Sequence, residues 1–208
     1  WNTEDRTSQS TTPWCVEQFA GGFGGWAFGL AFLHRAGFPK YHVLSVEAEL
    51  SYATQYALSH ASNMVGDPAG MPEQFLLHMQ EDVMVCGNIQ EMHWQKLLQH
   101  VYASLWCISA PCKSWSFAGS QEGFSNQDGL TLAHAIAHCR IHQPKYAMIE
   151  QVAGFESHMH FPIAMRLMQW AGYEPVLQGV FDLGNLTPCR RTRWLGVFAH
   201  HACTQRSE

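Results

Sequence analysis

The sequence predicts an open α/β sheet, and three observations carry that prediction. Short runs rich in β-branched and aromatic residues alternate with longer helical patterns through most of the 208 residues. Strands alternating with helices of roughly 10–15 residues build parallel βαβ units with helices on both faces of one sheet. The chemically unusual residues fall just after these runs, where open α/β sheets hold their ligands.

The elements follow in order. Residues 1–12 are polar and are expected to form a tail. Trp14–Phe19 is the first expected strand, closed by glycines. Tyr41–Glu47 follows Pro39, and Asp82–Cys86 and Ser104–Ser109 are short apolar runs, the latter ended by Ala110-Pro111. Tyr146–Glu150 begins after Pro144, and Val176–Phe181 and Arg193–Phe198 complete seven strands. Helical spacing of apolar residues marks Gly24–Arg35, Ala48–Ser59, Gln90–Tyr102, Leu130–Ile141 and Phe161–Trp170. Asn63–Gln74, with Gly66, Pro68, Gly70 and Pro72, reads as the clearest long loop. The connection Asp182–Thr192 is too short for a right-handed crossover. The last strand is therefore expected to run antiparallel beside Val176–Phe181.

Composition narrows the function classes. A chain of this length buries roughly 70% of its unfolded surface and needs neither disulfides nor metal to hold a core. Charged residues make up 14% of the sequence, against about 25% in typical soluble proteins, and no apolar run reaches the ~18 residues of a membrane span. The formal net charge is −5, which argues against a surface coated in basic charge for gripping phosphate backbones. Nucleic acid stays open as a substrate because Arg190, Arg191 and Arg193 are concentrated. Seven cysteines, several inside apolar runs, point to buried thiols in a reducing compartment rather than a disulfide framework.

Three clusters carry chemistry. After the first strand come Phe19, Ala20, Gly21, Gly22, Phe23, Gly24 and Gly25, which let the backbone turn tightly and approach a ligand. Glu47 ends the second strand, where a carboxylate commonly binds ribose hydroxyls. Gly22, Gly24 and Ala27 also satisfy a loose dinucleotide fingerprint, so a nicotinamide enzyme stands beside an adenosine-type cofactor. After the fourth strand, Cys112 sits in a loop between Pro111 and Lys113, placed like a nucleophile. The fifth strand ends at Glu150, which neighbouring parallel strands would bring toward Cys112 as a proton donor. The third cluster, Thr187 to Arg193, places Arg191 and Arg193 on one side of an extended segment, able to orient Glu150 or grip a phosphate.

Together these residues resemble the cytosine-5 DNA methyltransferases, in order and at similar spacing from Trp14 to Ala199. The glycine loop looks like that family's cofactor motif. Pro111-Cys112 with Ser116, Gly119 and Gly123-Phe124 resembles its catalytic loop. Glu150-Gln151-Val152 is similar to its Glu-Asn-Val, and Pro188 to Arg193 to its Pro-Gln-x-Arg-x-Arg. The resemblance implies a Rossmann-like S-adenosylmethionine-dependent methyltransferase fold, a mostly parallel seven-stranded sheet with an antiparallel last strand. It implies a catalytic domain over 13–199 and a tail over 200–208. Cys112 would attack C6 of a flipped-out cytosine in DNA, Glu150 would hydrogen-bond N3, Arg193 would support the base and Arg191 the cofactor side. Phe19–Gly25, Glu47, Ala48, Asn88, Ile89 and Pro111 would line the S-adenosylmethionine site.

The sequence also departs from the family pattern. Glu17 and Asn88 each replace Asp, Lys113 and Cys189 replace Gln, and Gln151 replaces Asn. Nothing after the arginine strand resembles the family's target-recognition region, which is expected in the remainder of a longer chain or in a separate subunit. A similar site on a similar fold methylates tRNA cytosine in one branch of the family, so tRNA is the alternative substrate. A non-enzymatic cofactor-binding interaction module is the rival class. The resemblance places the protein inside the cell, in a eukaryotic nucleus or a bacterial cytoplasm. His134, His138 and His142 recur every fourth residue and read as a polar helix face rather than as metal ligands.

Overall fold

The computed structural model of the chain describes residues 14–18, 30, 33–38, 40–47, 63–65, 83–86, 103–182 and 191–204. The described strands form one mixed sheet. They are β1 (Trp14–Gln18), β2 (His42–Glu47), β3 (Asn63–Val65), β4 (Val83–Cys86), β5 (Ala103–Ile108), β6 (Tyr146–Val152), β7 (Tyr173–Asp182) and β8 (Thr192–His200). Their order across the sheet is β3-β4-β2-β1-β5-β6-β8-β7. Among the described residues the sheet has eight strands where seven were expected. The extra strand, β3, opens the stretch 63–74 read as a loop. Three residues are too few to show alternation, and parallel pairing with β4 makes them a strand.

The first six strands pair in parallel, and β8 runs antiparallel to both β6 and β7. The antiparallel β7–β8 pair matches the expectation from their short connection. Strand order reverses between β1 and β5: the chain first builds outward through β2, β3 and β4, then crosses to the other side of β1. Such a reversal opens a crevice at the carboxyl ends of the two strands.

Described helices are α1 (Gln127–His142), α2 (Phe161–Trp170) and α3 (His201–Thr204), and residues 33–35 are also helical. The expected tail 1–12, the helices Ala48–Ser59 and Gln90–Tyr102 and most of Gly24–Arg35 lie outside the described residues. β8 continues through His200 into α3, within the stretch read as a tail.

The core lies between α1, α2 and one face of the sheet. Register sets that face: Trp106 pairs with Ala147 and Ile108 with Ile149 across β5–β6, and Ile149 faces Gly196 on β8. Trp106, Ile108, Ala147, Ile149, Trp194 and Phe198 are buried there with Leu132, Ile136, Ala164 and Met168 from the helices. Gly196 must be glycine because the rings of Trp194 and Phe198 close over it, and a Cβ would meet Phe198 at 2.7 Å. Phe155, Phe161 and Trp194 pack edge to face with centroids 4.9–5.5 Å apart. Such pairs contribute about 0.5–1.5 kcal/mol each beyond their burial.

The reading of the α1 histidines as a polar face is corrected. His134 is exposed, but His138 is buried and His142 half-buried, both stacked on Trp106 with centroids 6.5 and 5.5 Å away. Flat imidazoles pack against an indole as readily as they face water, so spacing alone did not locate them. Among the described residues no group of three or more His, Cys, Asp or Glu could hold a metal, and no helix is long and apolar enough to cross a membrane.

Candidate functional site

The site is built where β1, β5 and β6 end. In register, Gln18 lies beside Ile108, and Ile108 beside Ile149. Three carboxyl ends therefore adjoin, with the reversal of strand order between the first two. β1 leads into Phe19–Gly25, and β5 into the loop that carries Pro111 and Cys112.

That loop is folded by its own backbone. The Cys112 carbonyl accepts from the N–H groups of Trp115 (3.0 Å) and Ser116 (2.9 Å). The Lys113 carbonyl accepts from Ser120 N–H at 3.0 Å, and the Ser114 carbonyl from Gly123 N–H at 2.9 Å. Ser114 is buried and donates through Oγ to Asn126 Oδ1 at 2.6 Å. Asn126 is also the N-cap of α1: its Oδ1 accepts from Gly129 N–H, while Nδ2 donates to Ser120 Oγ (3.0 Å) and Glu122 Oε2 (2.9 Å). One side chain thus closes the loop and starts the helix. Trp115 anchors the middle, buried edge-on against Phe124, Phe155 and His158 at 5.0–5.2 Å.

Cys112 is left exposed, unlike the buried thiols of Cys15, Cys107 and Cys139. Burial pushes the Cys139 thiol far up, so it stays protonated and unreactive. Pro111 is half-buried beside Cys112, and Lys113 is exposed.

Glu150 and Arg193 are brought together. Val152 pairs with Arg193 and Glu150 with Leu195, so Glu150 and Arg193 are diagonal neighbours on one face of β6–β8. Arg193 Nε reaches Glu150 Oε1 at 2.8 Å, each side chain 26% exposed. The guanidinium fixes one carboxylate oxygen. Arg191 precedes β8 and is exposed. Next to Glu150, buried Gln151 points to the opposite face and donates through Nε2 to the Ala110 carbonyl at 2.7 Å. The end of β6 therefore holds the start of the Cys112 loop. A glutamine where the family pattern has asparagine still makes a defined bond.

Glu47 ends β2, paired with Cys86 at the end of β4, near the carboxyl end of β1. Phe19, Ala20, Gly21, Gly22, Phe23, Gly24, Gly25, Ala48, Asn88 and Ile89 lie outside the described residues, as does Thr187–Arg190 of the arginine cluster.

Sequence reasoning missed His158 and His160, which follow β6. His158 Nε2 lies 2.9 Å from the Gln121 carbonyl, and His160 Nδ1 accepts from Phe124 N–H at 3.1 Å. Their partners are main-chain groups 36 and 37 positions away, which no local pattern reveals.

Comparison with known proteins bears on this geometry. The family model for C-5 cytosine-specific DNA methylase matches residues 73–202. No curated protein matches the chain. Among solved structures, the chain is similar to the Dnmt2 methyltransferase of S. pombe, at 19% identity and TM-score 0.58, covering 89% of this chain and 48% of that one. It is similar to a putative DNA modification methyltransferase encoded within an E. coli prophage, at 15% identity and TM-score 0.65, covering 93% and 48%. It is also similar to the methyltransferase EhMeth of Entamoeba histolytica, at 14% identity and TM-score 0.62, covering 91% and 53%. The chain therefore spans about half the length of the structures it matches, and their likeness is one of fold.

Proposed function

Because the chain belongs to the C-5 cytosine-specific DNA methylase family, we propose that it methylates C5 of cytosine in DNA. The observation that carries this reading is the junction of β5 and β6. It sets exposed Cys112 on the loop after one strand and the Arg193-held carboxylate of Glu150 at the end of its parallel neighbour.

The family takes its methyl group from S-adenosylmethionine. The residue types present fit that molecule. Glu47 brings a carboxylate, able to accept from two ribose hydroxyls, to the end of β2 beside the switch point. The glycines of 19–25 would admit its close approach.

In this reading the target base must leave the duplex, because C6 is inaccessible inside the stack. Cys112 Sγ forms a bond to C6, and the ring's electrons move toward N3 and C5. Glu150 enters this step as the carboxylic acid and donates its proton to N3 as charge accumulates there, while Arg193 keeps the side chain in place. After C5 has accepted the methyl group, a water molecule takes the C5 proton, which restores the double bond, expels the Cys112 thiolate and returns the N3 proton to Glu150. Arg191 stands on the cofactor side. Residues 13–199 form the catalytic domain. The matches lend no support to a separate recognition subunit. Buried thiols at Cys15, Cys107 and Cys139 support a reducing, intracellular setting.

The test is covalent trapping on 5-fluorocytosine, whose C5 substituent cannot leave as a proton. It is run in the longest polypeptide containing this chain, with S-adenosylmethionine supplied. DNA oligonucleotides should yield an adduct at Cys112. Cys112→Ser should abolish it, and Glu150→Gln should slow it by roughly 10²–10⁴-fold. Adduct on tRNA alone would reassign the substrate. No adduct on either would leave a cofactor-binding module.

A further inference from the structure

We infer that His158 and His160 are positioning residues: as neutral rings protonated at Nε2, they clamp the turn 121–124 and so set the loop that presents Cys112. This rests on the reading of Cys112 as the nucleophile.

Hydrogen-bond directions assign the tautomers. A backbone N–H can only donate, so His160 Nδ1, 3.1 Å from Phe124 N, is an acceptor without a proton. The same holds for His158 Nδ1, which accepts from His160 N–H at 3.0 Å. The proton of His158 is therefore on Nε2, which donates to the Gln121 carbonyl at 2.9 Å. The result is a directed chain, from Phe124 N–H to His160, from His160 N–H to His158, and from His158 to Gln121. It begins and ends on either side of Gly123.

The clamped turn needs holding. Gln121 adopts φ +56° without being glycine, and Gly123 adopts φ +54°. A non-glycine residue in the left-handed region persists only where its surroundings impose it. Both imidazoles pack directly over the α-carbon of Gly123. A Cβ there would run into His160 Nδ1 and come within 2.6 Å of His158 Cε1. Phe124 stacks on His160 at 6.1 Å, and His158 meets the buried edge of Trp115.

The turn is laced to the nucleophile. Gln121 Nε2 donates to the Phe117 carbonyl at 3.2 Å, Gly123 N–H to Ser114, and Ser120 N–H to Lys113. Trp115 and Ser116 then donate to Cys112 itself. Both histidines follow β6, the strand that carries Glu150. The same segment thus holds the carboxylate and, through the turn, the register of the thiol against it.

The test uses two substitutions at one position. His160→Leu removes the acceptor, whereas His160→Asn keeps an oxygen near the place of Nδ1. Hydrogen exchange of the Phe124 amide and steady-state methylation are measured for both. His160→Leu should speed Phe124 exchange at least about tenfold and lower kcat by roughly 10–100-fold with little change in KM for S-adenosylmethionine. His160→Asn should restore both toward wild type. Folding is checked by the exchange of α2 amides, which must match wild type in both variants. Unchanged Phe124 exchange in His160→Leu, wild-type kcat in that variant, or failure of a folded His160→Asn to recover would overturn the clamp. If wild type itself forms no adduct with 5-fluorocytosine, the proposed function fails, while Phe124 exchange still decides the clamp.

Discussion

His142 shows how much a single ring's surroundings alter its chemistry. Burial against Trp106, and then the neighbouring His138, lower its pKa from the ordinary 6.5 to about 4. As pH falls through that window the unfolded chain takes up the proton first, which draws the equilibrium toward unfolding. The stability contributed by the neutral ring is complete above 6.5 and is lost progressively down to about 4. Urea midpoints should fall across that range, and His142→Phe, which keeps a flat ring on Trp106, should flatten the slope. Part of the slope belongs to His200, whose pKa is also lowered, by burial first and then by His201 and Arg140. An identical pH dependence in wild type and His142→Phe would refute the assignment.

At the level of elements, the start of α1 is also the end of the Cys112 loop, since Asn126 serves both. Asn126→Ala removes the cap and three loop bonds together. It should cost about 1–2 kcal/mol, at the upper end for a lost N-cap, read as a shift in denaturant midpoint. A shift within a few tenths of a kcal/mol would mean that water replaces the amide without loss. Asn126 was not legible: the expected helix began at Leu130, three residues after the observed start, and the bonds of Asn126 to Ser114, Ser120 and Glu122 are tertiary. Elements with clear punctuation were easiest to read. Phe161–Trp170 has the boundaries the sequence implied, and β6 and β8 extend the expected strands by two residues or fewer at each end. β3 was not legible, because pairing rather than pattern defines it. Cys112, Glu150 and Arg193 stood out through their places at strand ends, and the diagonal register of β6–β8 explains the ion pair. The histidine clamp did not stand out, because its partners are main-chain groups brought near by the fold.

Over the whole molecule, β7 is one outer edge of the described sheet, and Val176, Leu177 and Val180 are 64%, 53% and 47% exposed along it. A ten-residue edge strand with exposed apolar side chains is a template for pairing with another strand. Leu177→Lys should reduce self-association in light scattering at high concentration while leaving the melting temperature within a degree or two. Equal scattering from the two proteins would show that this edge is not where copies meet.

The position of β8 between β6 and β7 also dictates an order of events at the ribosome. Both flanking strands emerge before the strand they share, so β7 has no neighbour in the sheet until residues 192–200 have been synthesised and slotted into place. Glu150 likewise waits for Arg193. A nascent chain stalled short of Arg193 already carries Cys112, but its carboxylate has no guanidinium to hold it. On the proposed reading, chemical competence therefore comes late in biogenesis, with the closing of the sheet, and prematurely terminated products carry the thiol without its supported partner.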